Sequence, residues 1–364
     1  MKLIENIKKI CATADIPNFY RRLDRLRWSE VVTKKRIKEK TYVELTPTEE
    51  NDILEFWKNY VSKINYAAFR FYNAFCTNKA QLKYYIPETI YYPIVDMFFS
   101  NAYDASIFDN KNLYDLYFHD VAQPQTICRY VNGIFLNKQY QIISYDDVIS
   151  LCKNKNIILK PATGSQGGRG IYFLTEKENS NFINDFSNYI SQNKNVLVSE
   201  VFHQNEVLNA IHPTSVNTIR IMTLLLDNEI NILSSILRLG RDGKKVDNAS
   251  SGGVFCGIDL NNGTLKKWTF DTHGNQYEGH PNGVKTENIL IPNFNKCLDL
   301  VKAMVPRVMH ISKLCSWDIA LDVNANPNLI EVNLSCGQLD FHQICNGPIF
   351  GDLTPIILDK VFKK

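Results

Sequence analysis

The sequence lacks long hydrophobic runs, paired cysteine motifs and a strong excess of charge of either sign. None of its apolar runs reaches the roughly 20 residues that a membrane-spanning helix needs. Near the N-terminus, Glu5, Lys8 and Lys9 interrupt the apolar residues, so this segment is not expected to form the core of a signal peptide. The nine cysteines form no CxxC pair and no Cys/His spacing typical of zinc sites. These absences predict a cytoplasmic protein with buried, reduced thiols.

The composition is that of an ordinary globular protein. Of the 364 residues, 45% are hydrophobic and 22% are charged, and the net charge of +3 is too small to predict a nucleic-acid partner. The basic residues are concentrated in the segment 21–40, which contains nine Lys or Arg and three Asp or Glu. This segment is either the solvated face of a helix or a site of weak contact with a membrane surface or an anionic glycan.

The spacing of the apolar residues changes along the chain. Up to about residue 105 they recur every three or four positions, as they do between Ile53 and Ala68, which predicts a mainly helical region. Beyond it, short apolar strands alternate with helices, and no internal repeat appears. The sequence therefore predicts an α+β fold, with a helical region at 1–105 followed by two α+β subdomains at 106–200 and 201–364.

A glycine-rich loop lies between two predicted strands in the segment ILKPATGSQGGRGIYFL, residues 158–174. The loop runs from Pro161 to Gly170 and is longer than a tight hairpin connection. Its glycines free backbone N–H groups that can cradle phosphate oxygens, and Lys160 adds a cation at the end of the first strand. It is not a Walker loop, because no Gly-Lys-Ser/Thr follows the glycines. The loop predicts a phosphate site, and a long hairpin turn is the alternative.

A second candidate site is the hairpin SWDIALDVNANPNLIEVNLSCG, residues 316–337. A turn centred within 324–327 predicts that Asp318 faces Asn333 across the ladder and that Glu331 lies on the same face. Two carboxylates and an amide so close together are costly without a cation. Their oxygen atoms suit Mg²⁺, which proteins usually bind through one or two carboxylates plus nucleotide phosphates. The hairpin predicts a magnesium site, and the alternative is a row of polar side chains on a solvated face.

The order of these motifs resembles that of the ATP-grasp superfamily. Lys-Pro before a Gly/Ser-rich loop, Ser199-Glu200 at the end of a strand and Asp…Glu-Val-Asn near the C-terminus follow one another over about residues 106–345. The segments HPTSVNTIRIMTLL, LRLGRDGKKVDNASSGGVFCGID and GHPNGV are most similar to the sugar-transfer-associated ATP-grasp proteins of polysaccharide biosynthesis loci. The resemblance implies an ATP-grasp fold, in which two α+β subdomains clasp ATP, preceded here by the helical region.

The resemblance also implies which residues bind the nucleotide and the metal. ATP would be held by two phosphate lysines, the glycine loop, an adenine hinge and a ribose-binding acid, which are Lys111, Lys160, Gly164, Ser165, Gly167, Gly168, Glu200, Phe202, His203 and Glu206. The Mg²⁺ ligands would be Asp318, Glu331 and Asn333, and two ions are expected.

Similarity to the ATP-grasp glutamate ligases implies a catalytic set. Arg220 would face the γ-phosphate, and Arg238 and Asn248 would hold the acyl phosphate or the substrate carboxylate. Two positions depart from the relatives. Ser316 stands where D-alanine–D-alanine ligases have an Arg that polarises the substrate, and the segment 334–337 reads Leu-Ser-Cys-Gly where many relatives have Ser-Pro-Gly. Both departures lie on the acceptor side, so the substrates of the dipeptide ligases do not transfer to this chain.

Together these patterns predict an ATP-dependent carboxylate–amine ligase that acts through an acyl phosphate. Its small-molecule carboxylate and amine substrates would be sugar-linked: a sugar acid, an amino sugar or a glycan precursor. One alternative is a kinase for a sugar hydroxyl, with His212, Asp247 or His273 as general base. The other alternative is a nucleotide-binding accessory subunit of a glycan-assembly complex, attached through 21–40.

Overall fold

The computed structural model describes residues 16–38, 42–164, 168–175, 181–248 and 251–363. Its α-helices are α1 (Ile16–Lys38), α2 (Pro47–Trp57), α3 (Tyr66–Asn73), α4 (Glu88–Ile90), α5 (Asp96–Phe99), α6 (Tyr114–Tyr117), α7 (Tyr145–Cys152), α8 (Phe182–Gln192), α9 (Glu206–Ile211), α10 (Phe294–Val308), α11 (Leu339–Asn346) and α12 (Thr354–Phe362). A π-helical turn, Tyr91–Val95, joins α4 to α5. Short 3₁₀ helices occupy Lys79–Tyr84, Asp104–Asp109, Lys111–Leu113 and Gly351–Leu353.

The strands form two antiparallel sheets. The strands are β1 (Thr126–Val131), β2 (Ile134–Asn137), β3 (Ile142–Ile143), β4 (Ile157–Pro161), β5 (Tyr172–Leu174), β6 (Asn195–Glu200), β7 (Thr218–Leu226), β8 (Glu229–Leu239), β9 (Val254–Ile258), β10 (Leu265–Phe270), β11 (Gln276–Glu278), β12 (Leu314–Leu321) and β13 (Pro327–Asn333). The first sheet has the order β3-β2-β1-β6-β4-β5, and the second has the order β11-β10-β9-β8-β7-β12-β13. The predicted α+β class and the helical N-terminal region are confirmed. The domain boundaries at 105 and 200 stay a prediction.

The first sheet separates an apolar core from a polar face by strict alternation along β4. Ile157 and Leu159 are fully buried in a core that also contains residues of α7 and α8. Because successive side chains of a strand point to opposite faces, Ile158 and Lys160 point away from this core. As predicted, β4 and β5 flank the glycine loop and pair with each other.

The second sheet uses the same alternation to present charged side chains. Ile219, Ile221 and Trp317 are fully buried in a core that includes the apolar side of α10. Arg220 lies between the two isoleucines of β7 and directly opposite Asp318 of β12, so both point to the other face of the sheet. The sequence of β7, TIRIMTLLL, therefore buries a core on one side and places a guanidinium on the other.

The helices before residue 100 share a core with the end of the chain. Trp57, Tyr72 and Tyr91 are fully buried in one cluster with Phe255 of β9 and Leu358 of α12. Burying aromatic side chains of this size contributes strongly to stability, so this cluster fixes the helical region to the second sheet. No helix among the described residues is long and apolar enough to cross a membrane. The eight cysteines within the described ranges are free, and six of them are buried.

Candidate active site

A cleft of about 1740 Å³ is lined by residues from both sheets. The predicted site residues that line it are Lys111, Lys160, Gly164, Gly168, Glu200, Phe202, His203, Arg220, Arg238, Asn248, Asp318, Glu331 and Asn333. Glu206 is not one of the lining residues, and it lies exposed in the first turn of α9. Ser165 and Gly167 lie outside the described residues. The structure therefore brings most of the predicted set into one cavity.

Asp318 is the centre of a buried charge network. Arg220 donates to both of its oxygens, from Nε to Oδ1 and from Nη2 to Oδ2, each at 2.7 Å. Arg238 donates from Nη1 to Oδ2 at 2.9 Å. Burial raises the pKa of Asp318, but the two guanidinium groups outweigh it and leave that pKa below its usual value. The acid that pairs with both Arg220 and Arg238 comes from β12, the strand beside β7.

Three further side chains hold the arginines in place. Arg238 Nη2 donates to Asn248 Oδ1 at 2.6 Å and lies 3.5 Å from Asp247 Oδ1. Arg220 Nη1 donates to Oε1 of Gln338. Gln338 has a left-handed backbone conformation, with φ of +61°, which is uncommon for a residue with a side chain. Sequence reasoning missed Gln338, because no local pattern marks it.

The hairpin 316–337, called the metal hairpin for its predicted magnesium site, has a register that differs from the predicted one. Asp318 pairs directly with Glu331, and Asn333 pairs with Ser316, so the prediction that Asp318 faces Asn333 was wrong. One reason is the turn, in which Asp322 Oδ1 accepts hydrogen bonds from the backbone N–H groups of residues 324 and 326. The other is a bulge just beyond Asp318, which shifts the register by one residue. The residue opposite Asp318 is thus 331 instead of 333, a displacement of two positions. Because side chains two apart on a strand share a face, the three side chains still share one face, and all three line the cleft.

The lysines lie beside the hairpin. Lys111 Nζ donates to Glu331 Oε1 at 2.7 Å, and the backbone N–H of Lys111 donates to the carbonyl of Ala162 at the end of β4. Burial, and after it the neighbouring charge of Lys111, lower the pKa of Lys160 to about 8 against the opposing effect of Glu331. Two cations held so close favour a site for an anion with several charges.

The hairpin residues fit a magnesium ion. Their donor atoms are carboxylate and amide oxygens, the class that Mg²⁺ prefers. Asp318 accepts one hydrogen bond at Oδ1 and two at Oδ2, which leaves about one of its four lone-pair positions for a metal. Glu331 is partly exposed to the cleft. The side-chain Nδ2 of Asn333 is buried without a hydrogen-bond partner in the described part of the chain, but it is an N–H donor, so only Oδ1 of this amide could ligate the metal.

Gly164 and Gly168 of the glycine loop line the cleft, and so does the predicted hinge residue Glu200. Gly164 and Gly168 have φ of +69° and +73°, and a Cβ at Gly168 would lie 3.1 Å from Val246 Cγ1. Glycine is therefore needed there for both conformation and space. At the hinge, the carboxylate of Glu200 accepts a hydrogen bond from Lys155 Nζ at 2.6 Å, so an adenine amino group would have to share this carboxylate.

Of the three residues that the sequence offered as alternative general bases, Asp247 lines the cleft and the two histidines do not. Asp247 is buried and lines the cleft, and burial raises its pKa although Arg238 opposes this shift. His212 and His273 are not among the lining residues. The ring of His212 is instead hydrogen-bonded to Ser215 Oγ at 2.8 Å.

A family model described as sugar-transfer associated ATP-grasp matches residues 97–355. Similar solved structures include a D-alanine–D-alanine ligase from Bacillus anthracis, with 13% identity, 72% of this chain and 70% of that chain covered, and a TM-score of 0.39. The ATP-grasp ligase PsnB, complexed with a minimal precursor, has 16% identity, coverage of 72% and 64%, and a TM-score of 0.40. The biotin carboxylase domain of the Hydrogenobacter thermophilus 2-oxoglutarate carboxylase, with MgADP, ADP and bicarbonate, has 11% identity, coverage of 69% and 45%, and a TM-score of 0.42. No curated protein matches the sequence significantly.

Because the family model spans well over half of the sequence and the site residues converge in one cleft, the chain belongs to the sugar-transfer associated ATP-grasp family.

Proposed function

We propose that the protein is an ATP-dependent carboxylate–amine ligase that acts through an acyl phosphate. The observation that carries this proposal is the arrangement of four cationic side chains around the metal hairpin in a single cleft: Lys111, Lys160, Arg220 and Arg238. Such a set is suited to an anionic nucleotide and an anionic acceptor together, because each anion needs its own cations.

The proposed reaction has two steps. An oxygen of the substrate carboxylate attacks the γ-phosphorus of ATP, so that a new P–O bond forms while the bond to the bridging oxygen breaks and ADP leaves. The amine then attacks the acyl carbon, the C–O bond to phosphate breaks, and the amine loses a proton. The products are an amide, ADP and inorganic phosphate.

Each group of residues has a separate task in this scheme. Lys111 and Lys160 would bind the phosphates, and the amides of the glycine loop would enclose them. When bound by Asp318, Glu331 and Asn333, Mg²⁺ would supply charge neutralisation at the β- and γ-phosphates, and two such ions are expected.

The two arginines would hold the acceptor against the γ-phosphate, with Asn248 orienting Arg238. Arg238 Nε is buried and has no hydrogen-bond partner among the residues that the structure describes. A buried donor left unsatisfied is costly, so a bound oxyanion would stabilise this arrangement. The family context points to a sugar acid, an amino sugar or a glycan precursor as the substrate, in cell-surface polysaccharide biosynthesis.

A labelling experiment tests the acyl phosphate. If a carboxylate accepts the phosphoryl group, one of its oxygens leaves with inorganic phosphate. Uronic acids and amino acids labelled with ¹⁸O in the carboxylate should therefore yield ¹⁸O-labelled phosphate when an amine is present, as measured by mass spectrometry. Turnover that releases only unlabelled phosphate would refute the ligase.

A kinase is the second candidate, and Asp247 is the observation that favours it. This buried carboxylate accepts a hydrogen bond from the backbone N–H of Thr218 at 3.2 Å and lies in the cleft near Arg238. Its raised pKa suits a general base for a sugar hydroxyl. In the same labelling experiment a kinase would give a stable phosphorylated sugar, which separates the two functions.

A further inference from the structure

One face of helix α1 lines the cleft. The lining residues follow helical spacing and are Arg21, Asp24, Arg25, Trp28, Val32 and Lys35. This helix lies outside the residues 97–355 that the family model matches. The basic segment 21–40, for which the sequence left open a solvated face or an external contact, therefore contributes part of its charge to the interior of the site.

Arg25 fixes α1 to the acceptor side of the cleft. Its Nη1 donates to Asp96 Oδ2 at 2.8 Å and to the carbonyl of Tyr92 at 2.9 Å, and its Nη2 donates to Ser335 Oγ. Asp96 also accepts a hydrogen bond from the backbone N–H of Cys336 at 3.1 Å. Because Ser335 and Cys336 lie two and three residues beyond the end of β13, the strand of Glu331, this network sets the position of α1 relative to the proposed reaction centre.

Arg21 supplies a cation that this network does not use. Its contact is with the ring of Tyr103, 5.6 Å from Cζ to the centroid, and it forms no ion pair with any described residue. Asp24 of the same face is also without an ion pair in the described ranges. Arg21 and Asp109 both line the cleft; burial raises the pKa of Asp109, and the charges of Lys111 and Arg21 oppose this rise.

Trp28 supplies an aromatic surface about two turns along the helix from Arg21. The side chain is 51% exposed, and its ring meets Tyr92 edge to face, with centroids 5.0 Å apart. This contact orients the indole while leaving ring surface open to the cleft. A flat apolar surface on the same cleft-lining helix face as a cation suits a ligand with a ring and a negative charge.

We propose that α1 forms the acceptor subsite and binds an anionic sugar, with the sugar ring against Trp28 and its phosphate or carboxylate at Arg21. This inference rests on the proposed function and names the class of its acceptor. Asp24 lies one helical turn from Arg21 and would favour a sugar that also presents hydroxyl or amino donors.

The test is equilibrium dialysis of the full chain, saturated with MgADP, against ¹⁴C-labelled glucose 1-phosphate, glucuronate and glucose. The two anionic sugars should bind in the low-millimolar range or tighter, and glucose should bind at least tenfold more weakly. The first two probes distinguish a phosphate from a carboxylate as the recognised group.

Variants of α1 assign the binding to the proposed residues. Arg21→Ala should weaken the binding of the preferred anionic sugar about tenfold or more, because a charge-assisted hydrogen bond is lost, and Arg21→Lys should recover part of it. Trp28→Ala should weaken binding of the same probe severalfold. The matched control is Arg22→Ala, which removes the same charge from an exposed neighbour that does not line the cleft and should leave binding within twofold.

Nucleotide binding, measured in the same samples, separates this inference from the proposed function. Arg21→Ala should retain the native affinity for MgADP and the native melting temperature. Equal probe affinities for Arg21→Ala and Arg22→Ala, equal binding of glucose and the anionic sugars, or no binding of any probe would overturn the acceptor subsite. Absence of MgADP binding by the native chain would instead overturn the proposed function.

Discussion

Replacing Asp318 with asparagine preserves the size of the side chain but removes the negative charge that two buried arginines share. Asp318 accepts three hydrogen bonds from Arg220 and Arg238 at 2.7–2.9 Å, and the three side chains are at most 6% exposed. Removing one member of a buried ion pair costs about 3–5 kcal/mol, because the remaining charges are left uncompensated. For 364 residues unfolding as one unit, this loss lowers the melting temperature by about 4–7 °C.

Glu331→Gln is the matched variant for this experiment. Glu331 has a 35% exposed side chain and one bond to Lys111, at 2.7 Å, so its replacement should cost only about 0.2–1 kcal/mol. Calorimetry should therefore show a clear loss of stability for the Asp318 variant and a melting temperature near the native one for the Glu331 variant. Both variants should lose ADP formation at low-millimolar Mg²⁺ if both carboxylates hold the metal. A native melting temperature for Asp318→Asn would refute the charge argument, and full turnover in both variants would refute the metal site.

Two further predictions concern ATP binding. Because the pKa of Lys160 lies at about 8 and phosphate favours the protonated amine, the affinity for ATP should be constant below about pH 8 and fall above it, by up to about tenfold per pH unit, in titrations with a fluorescent analogue. Lys160→Met should weaken binding and remove this dependence, and a native slope in that variant would contradict the role of Lys160. Trypsin should cleave after the exposed Arg169 more slowly when a non-hydrolysable ATP analogue and Mg²⁺ are present, because phosphates would then bind the amides of the loop. Equal cleavage rates would argue against a phosphate loop.

The parts of the site that depend on local chemistry were predictable from the sequence. The glycine loop and Lys160 follow from one strand–loop–strand segment, and the alternation in β4 accounts for the direction of the lysine. Asp318 and Glu331 follow from one hairpin, whose turn residues are recognisable. In each case fewer than about 20 residues determine the geometry, so no knowledge of distant strands is needed.

The parts that depend on distant pairings were not predictable. The partner of Arg220 is Asp318, 98 residues away, and it becomes visible only when β12 is known to lie beside β7. The hairpin register failed for a different reason, since the side chain of Asp322 reshapes the turn and a bulge adds one residue. The helical pattern of α1 showed that basic residues recur on it, but not which face of the helix meets the cleft.

The shared core of the two ends of the chain has a consequence for synthesis. The aromatic side chains of Trp57, Tyr72 and Tyr91 leave the ribosome before Phe350 and Leu358, which complete their cluster and are made roughly 260 residues later. At ordinary rates of translation that interval lasts about 10–50 s. Throughout this interval the apolar side chains of the helices before residue 100 stay exposed, because the residues that complete their core have not yet been made. We therefore expect nascent or truncated chains to depend on chaperones at a stage when the first sheet, whose strands span only residues 126–200, can already fold.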